Sequence, residues 1–272
     1  MPEFNTIEDT LFVPMLGRIY ATENFPNILK DQKALSLKPL LPDNLKGQDT
    51  QTQYTLMASA VRSTNMDRYI RDFLQRNRDG VLVLLGSGLE TTYFRCDNGN
   101  NHWYEVDLPP VIEYRKQLLG ESERDHCIAG SAFDEDWIKT VRAIHPDAPL
   151  LVVASGLYYY FEENTVVGLF QTLKNYGAVE LLFDTVNRIG MKQMGKYMKQ
   201  VGHADASMYF YVDDVQKLAE RIGGRVLKEE PYYAHTPKKG LQLMTSLSMR
   251  VSDRWMMVKM IHLRLNEHLP NA

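Results

Sequence analysis

Short runs of apolar residues alternate with longer amphipathic stretches through the middle of the chain. The runs Val81–Leu85, Leu150–Ala154 and Val179–Phe183 are rich in β-branched residues and leucine, which is typical of strands buried on both faces of a parallel sheet. Trp103–Val106 and His126–Ala129 predict two further strands between the first two runs. Strands that alternate with helices predict an α/β fold, in which a parallel sheet carries helices on both faces.

Amphipathic segments fill the intervals between these strands. Apolar residues recur at helical spacing over Pro109–Leu119, Phe133–Ile144 and Glu162–Tyr176. The proline pair that opens the first segment suits a helix start, because the first backbone N–H groups of a helix lack partners. Each segment therefore predicts a helix that packs on the sheet.

The regions before and after this alternation have a different pattern. Residues 1–78 predict a helical N-terminal extension or lid, with a short helix near Thr10–Tyr20 and one or two amphipathic helices over Gln51–Arg76. Residues 186–211 are rich in Met, Gly and Lys, and they predict a cap insertion with a strand at Met208–Tyr211 near its end.

The last part of the chain returns to the sheet pattern. Asp213 is a candidate N-cap for a helix over Asp214–Ile222. Arg225–Leu227 and Arg254–Leu263 predict two more strands, and the second of them is expected to pair antiparallel late in the sheet.

Length and composition agree with one soluble domain. A chain of 272 residues with 44% hydrophobic and 24% charged residues has the composition of a globular protein. The extension and the cap both look like additions to a single sheet. We therefore expect one domain over residues 1–272, with a core formed by residues 79–185 and 212–272.

A glycine turn follows the first predicted strand. Gly86-Ser87-Gly88 comes directly after Val81–Leu85, and glycine permits a tight turn and a close approach of a ligand to the backbone. Asp107 lies 19 residues after Gly88, near the ~20 residues that separate a glycine turn from a ribose-binding acid. We expect Asp107 just beyond the end of the second strand. The pattern favours a nucleoside-containing cofactor, and the alternative is a plain turn beside a solvated acid.

The third position of the dinucleotide fingerprint narrows the choice of cofactor. Thr91 stands where NAD(P)-binding proteins have a glycine that permits close packing of helix and strand. An adenosine compound without a pyrophosphate does not require glycine at this position, so Thr91 favours such a compound over NAD(P).

Several motifs form a pattern that spans most of the chain. They are Arg18 with Asp31-Gln-Lys-Ala34, Arg62-Ser-Thr-Asn-Met-Asp67, Gly86-Ser-Gly88-Leu-Glu90-Thr91, Glu105-Val-Asp107-Leu-Pro109 with Arg115-Lys116, and Gly156-Leu-Tyr158. Together they resemble the leucine carboxyl methyltransferase family, which also contains bacterial polyketide O-methyltransferases. The resemblance implies a class I S-adenosylmethionine-dependent methyltransferase with a Rossmann-like, mostly parallel, seven-stranded sheet.

The resemblance also implies roles for individual residues. Arg62 would meet the carboxylate of the cofactor's methionine part, and Asp107 would hold the ribose hydroxyls. The implied cofactor-binding set is Arg62, Gly86, Ser87, Gly88, Asp107, Leu108, Ser131, Ala132 and Ser155.

Two members of this set depart from the family pattern. Ser131 and Ser155 stand where the family often has an acidic residue. A neutral partner makes a weaker hydrogen bond to a charged group than a carboxylate does. Glu90 is a candidate for a compensating acid.

The implied reaction is methyl transfer from S-adenosylmethionine, with S-adenosylhomocysteine as product. The acceptor would be a carboxylate or hydroxyl of a small, polyketide-like molecule, or a protein carboxyl terminus. A hydroxyl acceptor would need a base, for which Tyr158 and His203 are the candidates. The aromatic run Tyr158–Phe161 indicates either a wall around the substrate or core packing. The alternatives are a non-catalytic cofactor-binding or regulatory protein and an NAD(P)-dependent oxidoreductase.

The remaining features of the sequence exclude other classes. A net charge of −3 argues against nucleic-acid and anionic-membrane partners, and the apolar runs fall far below the ~18 residues of a membrane span. The acidic, polar N-terminus and the two cysteines, Cys96 and Cys127, favour a reducing, cytoplasmic setting. The histidines show no metal-ligand spacing. Gly190–Tyr197 nearly matches a P-loop but lacks Ser or Thr after Lys196.

Overall fold

One sheet organises the protein. The computed structural model describes residues 9–41, 51–200 and 208–266. The strands found in these ranges are β1 (Val81–Leu85), β2 (Trp103–Asp107), β3 (Asp125–Ala129), β4 (Leu150–Ala154), β5 (Val179–Val186), β6 (Arg225–Pro231) and β7 (Val258–Arg264). They lie in the order β3-β2-β1-β4-β5-β7-β6, and β7 runs antiparallel to both of its neighbours while β1 to β5 pair in parallel. The predicted seven-stranded, mostly parallel sheet is confirmed.

Helices cover both faces of this sheet. They are α1 (Asp9–Asn24), α2 (Gln32–Ser36), α3 (Gln53–Arg76), α4 (Thr92–Cys96), α5 (Pro109–Leu119), α6 (Asp136–Ile144), α7 (Glu163–Leu173), α8 (Arg188–Gln200), α9 (Val215–Ile222) and α10 (Leu243–Arg254). Within the described ranges, none of them is both long and apolar enough to traverse a lipid bilayer.

Alternate residues of the central strands pack into two separate apolar layers, one on each face of the sheet. Along β1, Val83 and Leu85 join one apolar cluster with α6, α7 and α9, while Leu82 and Leu84 join another with α3. Successive side chains of a strand point to opposite faces. A strand between two helical layers must therefore be apolar at every position, which explains the unbroken runs in the sequence.

The N-terminal extension packs against α3 rather than directly on the sheet. A β-carbon at Gly17 would overlap the carbonyl oxygen of Leu56, so α1 can approach α3 this closely only with glycine there. Both Met15 and Ile19 are buried in the third apolar cluster, which lies between the extension, α3 and the residues after the glycine turn.

The sequence predicted one or two helices over Gln51–Arg76, and two other helix boundaries differ from the prediction. Gln51–Arg76 holds one continuous helix, α3, whose N-cap Thr52 accepts a hydrogen bond from the Thr55 N–H. The helix predicted from Phe133 begins only at Asp136. The helix at 215–222 is capped by Asp214, not Asp213.

The cap region contains a helix over Gly190–Tyr197, where an amphipathic helix was the alternative to a P-loop, and the segment before β7 contains a helix that the pattern did not predict. Much of the cap is helix α8, and Asp213 accepts a hydrogen bond from the Arg188 N–H at its start. Met208–Tyr211 is not a strand, although the Tyr209 N–H donates to the Tyr159 carbonyl oxygen. Helix α10 was missed, because its large apolar residues face solvent instead of the core.

A charge cluster closes the amino-terminal end of β5. The Glu180 carboxylate accepts hydrogen bonds from His262 at 2.7 Å, Arg264 at 2.6 Å and Arg76 at 3.1 Å. Burial raises the pKa of Glu180, but these three donors outweigh it and hold the pKa well below its ordinary value.

Candidate functional site

The glycine turn after β1 has the backbone geometry that glycine allows. Gly86 and Gly88 adopt φ angles of +61° and +48°, a left-handed region that other residues rarely enter. A β-carbon on Gly86 would lie 2.7 Å from Cδ1 of Leu157. The Val106 carbonyl oxygen of β2 accepts hydrogen bonds from the N–H groups of Gly86 and Ser87, at 2.9 and 3.2 Å. The turn is therefore held at the carboxyl edge of the sheet.

Asp107 closes this turn from the neighbouring strand. It is the last residue of β2 and pairs with Ala129 of β3, so the prediction that it lies beyond the strand was wrong by one residue. Its carboxylate accepts hydrogen bonds from the N–H groups of Gly88 and Leu108, both at 2.7 Å. Burial raises the pKa of Asp107, and these two donors oppose the rise. A carboxylate accepts about four hydrogen bonds, so acceptor capacity remains for a ligand.

A buried ion pair supports the turn from below. Arg115 of α5 lies 2.7 Å from the Glu105 carboxylate and donates hydrogen bonds to the carbonyl oxygens of Gly88 and Glu90. Burial raises the pKa of Glu105, and the charge of Arg115 opposes the rise. The Glu105 side chain thus faces Arg115 beneath the turn, while Asp107 remains at its edge.

Arg62 of α3 reaches the same edge at the ends of β4 and β5. Its Nε donates a 2.9 Å hydrogen bond to Asp184, the last acidic residue of β5. The same carboxylate accepts hydrogen bonds from the Gly156 N–H and the Tyr159 hydroxyl, both at 2.7 Å. Asp184 therefore fixes Arg62, the turn after β4 and Tyr159 together.

Sequence reasoning missed Asp184 as a site residue. The available signal was an acid directly after the apolar run Leu181–Phe183, near the carboxyl end of β5, and the structure shows that its side chain is only 1% exposed. A buried charge needs a partner. At the carboxyl edge of the sheet, such a pair can hold a side chain in place for a ligand.

A small recess lies beside the glycine turn, between α3 and the ends of β1 and β4. The residues that line it are Met66, Leu84, Leu85, Gly86, Ser87, Glu90, Thr92, Val153 and Ser155. Ser155 thus lies beside the glycine turn, as the resemblance implies. Glu90 also lines the recess, close enough to be considered as the compensating acid.

Glu90 is already engaged by two buried arginines. Its carboxylate lies 2.5 Å from Arg18 and 3.6 Å from Arg95. Burial raises the pKa of Glu90, but the charges of these two arginines outweigh it and keep the pKa low. The same arginines bind Asp31, and Arg95 also binds Asp67. Five charged residues therefore form one buried network beside the turn, and four of them belong to three of the sequence motifs described above.

Three further members of the predicted cofactor-binding set, Leu108, Ser131 and Ala132, lie at the same edge. Ser131 follows β3 by two residues, and its Oγ accepts a hydrogen bond from the Phe133 N–H. The Ala132 carbonyl oxygen accepts one from the Trp137 indole. Leu108, next to Asp107, is half exposed. Leu108 and Ser131 therefore both lie next to the end of β2, where the Asp107 carbonyl oxygen accepts a hydrogen bond from the Gly130 N–H.

The two candidate bases are not equivalent. Tyr158 packs in an aromatic cluster with Phe170, Phe183 and Phe210, and its side chain is buried. Burial raises the pKa of its hydroxyl, which makes Tyr158 a packing residue. Tyr160, two residues on, is exposed. His203 lies outside the described residues.

The competing site predictions find no support in the described parts of the chain. The segment predicted as a near P-loop lies largely within α8, with no turn before it that could hold phosphates. Within these ranges, no group of three or more His, Cys, Asp or Glu side chains could hold a metal ion.

The residues present fit S-adenosylmethionine. The two glycines leave a bare backbone turn, Asp107 offers carboxylate acceptors for a diol, and Arg62 brings a cation for a carboxylate. The recess beside the turn mixes hydroxyl groups with apolar side chains. Together these groups suit a ligand that has a ribose and an amino-acid end.

Comparisons with known proteins agree with this assignment. A crystal structure from Thermobifida fusca, provisionally named a methyltransferase, aligns with a TM-score of 0.58 at 13% identity, over 97% of this chain and 99% of that one. A duf574 family protein from Streptomyces avermitilis aligns with a TM-score of 0.55 at 11% identity, over 92% and 97%. These two likenesses show the shared fold.

Sequence relatives show the activity. The tetracenomycin polyketide synthesis O-methyltransferase TcmP of Streptomyces glaucescens is 29% identical over 226 residues, 82% of each chain. A protein of Mycobacterium ulcerans, provisionally named an S-adenosyl-L-methionine-dependent methyltransferase, is 30% identical over 156 residues, about half of either chain. The fold and the site are those of an S-adenosylmethionine-dependent methyltransferase. The sequence model of leucine carboxyl methyltransferase matches residues 12–174, and the chain belongs to this family, as its motifs predicted.

Proposed function

We propose that the protein is an O-methyltransferase that methylates a carboxylate or hydroxyl of a small, apolar molecule. The observation that carries the proposal is the convergence of the glycine turn, Asp107 and Arg62 at one edge of the sheet. The O-methyltransferase TcmP, which aligns over 82% of the chain, supports the choice of oxygen and of a small acceptor.

The proposed mechanism assigns positioning to the chain. The bound cofactor supplies a methyl group on a sulfonium, which is already strongly electrophilic. Asp107 would accept hydrogen bonds from the ribose, and Arg62 would hold the carboxylate of the methionine part. Holding the cofactor on both sides of its sulfonium would orient the methyl group for in-line transfer, and such orientation can account for much of a rate enhancement.

The rim of the crevice favours an apolar acceptor. Tyr160 after β4, Ile189 in α8 and Tyr209 before α9 are large apolar side chains that remain exposed. The Tyr209 N–H donates to the carbonyl oxygen of Tyr159, so Tyr209 lies beside the turn after β4. A carboxylate or an acidic phenol would reach this rim already ionised and would need no base from the protein.

The family name also leaves a protein carboxyl terminus as an acceptor. The two classes of acceptor are separated by their products, because only peptide substrates would yield a methylated C-terminal carboxylate. Both cysteines are unpaired in the structure, which suits the cytoplasmic setting that we propose for the reaction.

Calorimetric titration with S-adenosylhomocysteine tests the cofactor site. We expect saturable binding to the purified protein, and Asp107→Asn should weaken it by about 10- to 100-fold, since hydrogen bonds to charged groups contribute about 1.5–3 kcal/mol. Asp79→Asn is the matched control, because Asp79 is exposed in the loop before β1, at the opposite end of that strand. Absence of binding at millimolar ligand would refute the proposal.

Turnover separates an enzyme from a binding protein. Radiolabelled methyl transfer from S-adenosylmethionine would be followed with apolar carboxylic acids, phenols and C-terminal peptides. Methylated product supports the proposal. Binding without transfer to any of these acceptors would favour the non-catalytic alternative.

A further inference from the structure

Helix α10 exposes an unusual number of large apolar side chains. They form the α10 stripe, which consists of Leu243 (81% exposed), Met244 (68%), Leu247 (51%), Val251 (43%) and Trp255 (59%). Among the described residues, five of the twelve large apolar side chains that are exposed lie in this stretch of thirteen residues. Scattered exposed apolar residues are normal, but a contiguous patch marks an interaction surface.

The spacing of the stripe shows that it is one face of the helix. Leu243, Leu247 and Val251 are each four residues apart, so they lie one above another along α10. The opposite side packs inward, because Met249 and Ser252 are buried. The inner side of α10 thus packs into the core, which leaves the stripe pointing into solvent.

Unpaired cations accompany the stripe. Arg250 and Arg254 stand three residues after Leu247 and Val251, which places them at the same side of the helix. Lys239 is exposed just before α10. None of these three cations has an ion pair within the part of the chain that the structure describes. The chain has a net charge of −3, so this surface has the opposite sign to the whole molecule.

We propose that the α10 stripe docks on a lipid surface that carries anionic headgroups. Trp and Leu on one face with Arg and Lys beside them are typical of helices that lie in a membrane interface. Long basic side chains can keep their charges at the headgroups while their stems cover apolar surface. Anionic lipid matches both the apolar character and the charge of this face.

A second copy of the chain fits the same surface less well. A twofold contact through the stripe would bring Arg250 and Arg254 of both copies together. The one carboxylate of α10, Asp253, already accepts a 2.8 Å hydrogen bond from the Tyr233 N–H. Like charges across an interface are unfavourable, whereas anionic headgroups would neutralise them.

The expectation that the protein has no membrane partner rested on different observations. It used the absence of a spanning segment and the overall charge, and neither describes a local surface. Docking of α10 requires only that one amphipathic face enter the headgroup region, with the rest of the protein in water.

Tryptophan fluorescence gives a direct readout of docking. Trp103 and Trp137 are buried, at 0% and 2% exposure, while Trp255 is 59% exposed. Vesicles of phosphatidylcholine with about 30% phosphatidylserine should therefore shift the emission of Trp255 to shorter wavelength. Pure phosphatidylcholine should bind more weakly, and raising the salt concentration should weaken binding to the mixed vesicles. The titration uses the whole protein without cofactor or acceptor, so its result is independent of the proposed activity.

Variants assign the effect to α10. Leu247→Ser should lower vesicle affinity at least about tenfold, and Arg250→Gln and Arg254→Gln about fivefold each. Ile144→Ser is the matched control, since Ile144 is 59% exposed on α6 and should leave affinity unchanged.

Two results would overturn the proposal. One is an unchanged Trp255 spectrum with mixed vesicles, or equal binding to neutral and anionic ones. The other comes from sedimentation velocity without lipid. A wild-type dimer that Leu247→Ser converts to a monomer would make the stripe an interface between copies of the chain.

Discussion

Replacement of Asp184 by asparagine tests how the site is held together. The carboxylate is 1% exposed and accepts hydrogen bonds from Arg62 Nε at 2.9 Å, from the Gly156 N–H at 2.7 Å and from the Tyr159 hydroxyl at 2.7 Å. Asparagine has the same shape, but its amide offers one acceptor oxygen and no charge. If that oxygen keeps the Gly156 N–H, the amide nitrogen faces Arg62, which is a donor as well.

The size of the effect follows from the burial of the pair. Breaking a buried ion pair by removing one partner costs about 3–5 kcal/mol. The lower end applies here, because the Arg62 side chain retains 22% exposure and asparagine keeps one hydrogen bond. We expect a loss of about 3 kcal/mol, which at about 2–4 °C per kcal/mol lowers the melting temperature by roughly 6–12 °C.

Two assays read the consequence separately. Thermal unfolding followed by circular dichroism measures the stability loss, with Asp79→Asn as an exposed control. Calorimetry with S-adenosylhomocysteine measures the effect on the site, where a displaced Arg62 should weaken binding by about tenfold or more. A double-mutant cycle with Arg62→Met isolates the pair. A coupling energy below about 0.5 kcal/mol, which is within the additivity error, would refute the role assigned to Asp184.

Three further predictions concern the network, the sheet edge and the turn. Arg18→Met should destabilise the protein by about 3–5 kcal/mol in denaturant unfolding, because it leaves buried carboxylates unpaired; the exposed Arg221→Met should cost at most about 1 kcal/mol, and equal losses would contradict the distinction. Glu180→Gln should be less stable than wild type at neutral pH, because the low pKa of Glu180 stabilises the folded state above the ordinary carboxyl pKa of about 4.3. That difference should shrink as the pH falls below this value in urea titrations, and a constant difference would disprove the linkage. Gly86→Ala should destabilise by about 1–2 kcal/mol through its left-handed backbone, whereas Gly168→Ala, in α7 with open space around it, should be neutral or stabilising by up to about 1 kcal/mol in the same thermal scans.

The sheet was predictable because burial on both faces leaves a strong pattern. The runs at β1, β4 and β5 are apolar at nearly every position, and a parallel strand between two helical layers accepts little else. The ends of the strands were harder to predict, because a polar residue can still belong to a strand. Asp107 is an example, since it pairs with Ala129 of β3. A ladder can continue through a residue whose side chain already faces a ligand edge.

Helix α10 could not be recognised by the same reasoning. Periodicity identifies a helix by the face that it buries, and here the largest apolar residues lie on the exposed face. The buried side contributes small or polar residues such as Thr245 and Ser252 besides Met249. A method that assigns apolar residues to the core therefore either places the wrong face of α10 inward or does not predict a helix here.

The sequence predicted the glycine turn and Asp107, which bind each other through backbone groups. It did not predict how the charged side chains of the site are paired. Spacing alone brought the glycine turn and Asp107 together, because adjacent parallel strands end at one edge. Partners of Arg62 and Glu90 come from elements 122 and 72 residues away in sequence, and no local pattern reports such distances.

The charge network changes what Glu90 can do at the recess. Sequence reasoning offered it as the acid that could replace the one lost at Ser155, yet its carboxylate neutralises Arg18 and Arg95. Those two arginines are shared with Asp31 and Asp67, so two cations stand against three carboxylates, and the network fixes the position of Glu90 at the recess that it lines. Glu90 therefore contributes to the site by fixing the N-terminal extension against the glycine turn. That contact links α1 to the cofactor edge, so loosening either one should disturb the other.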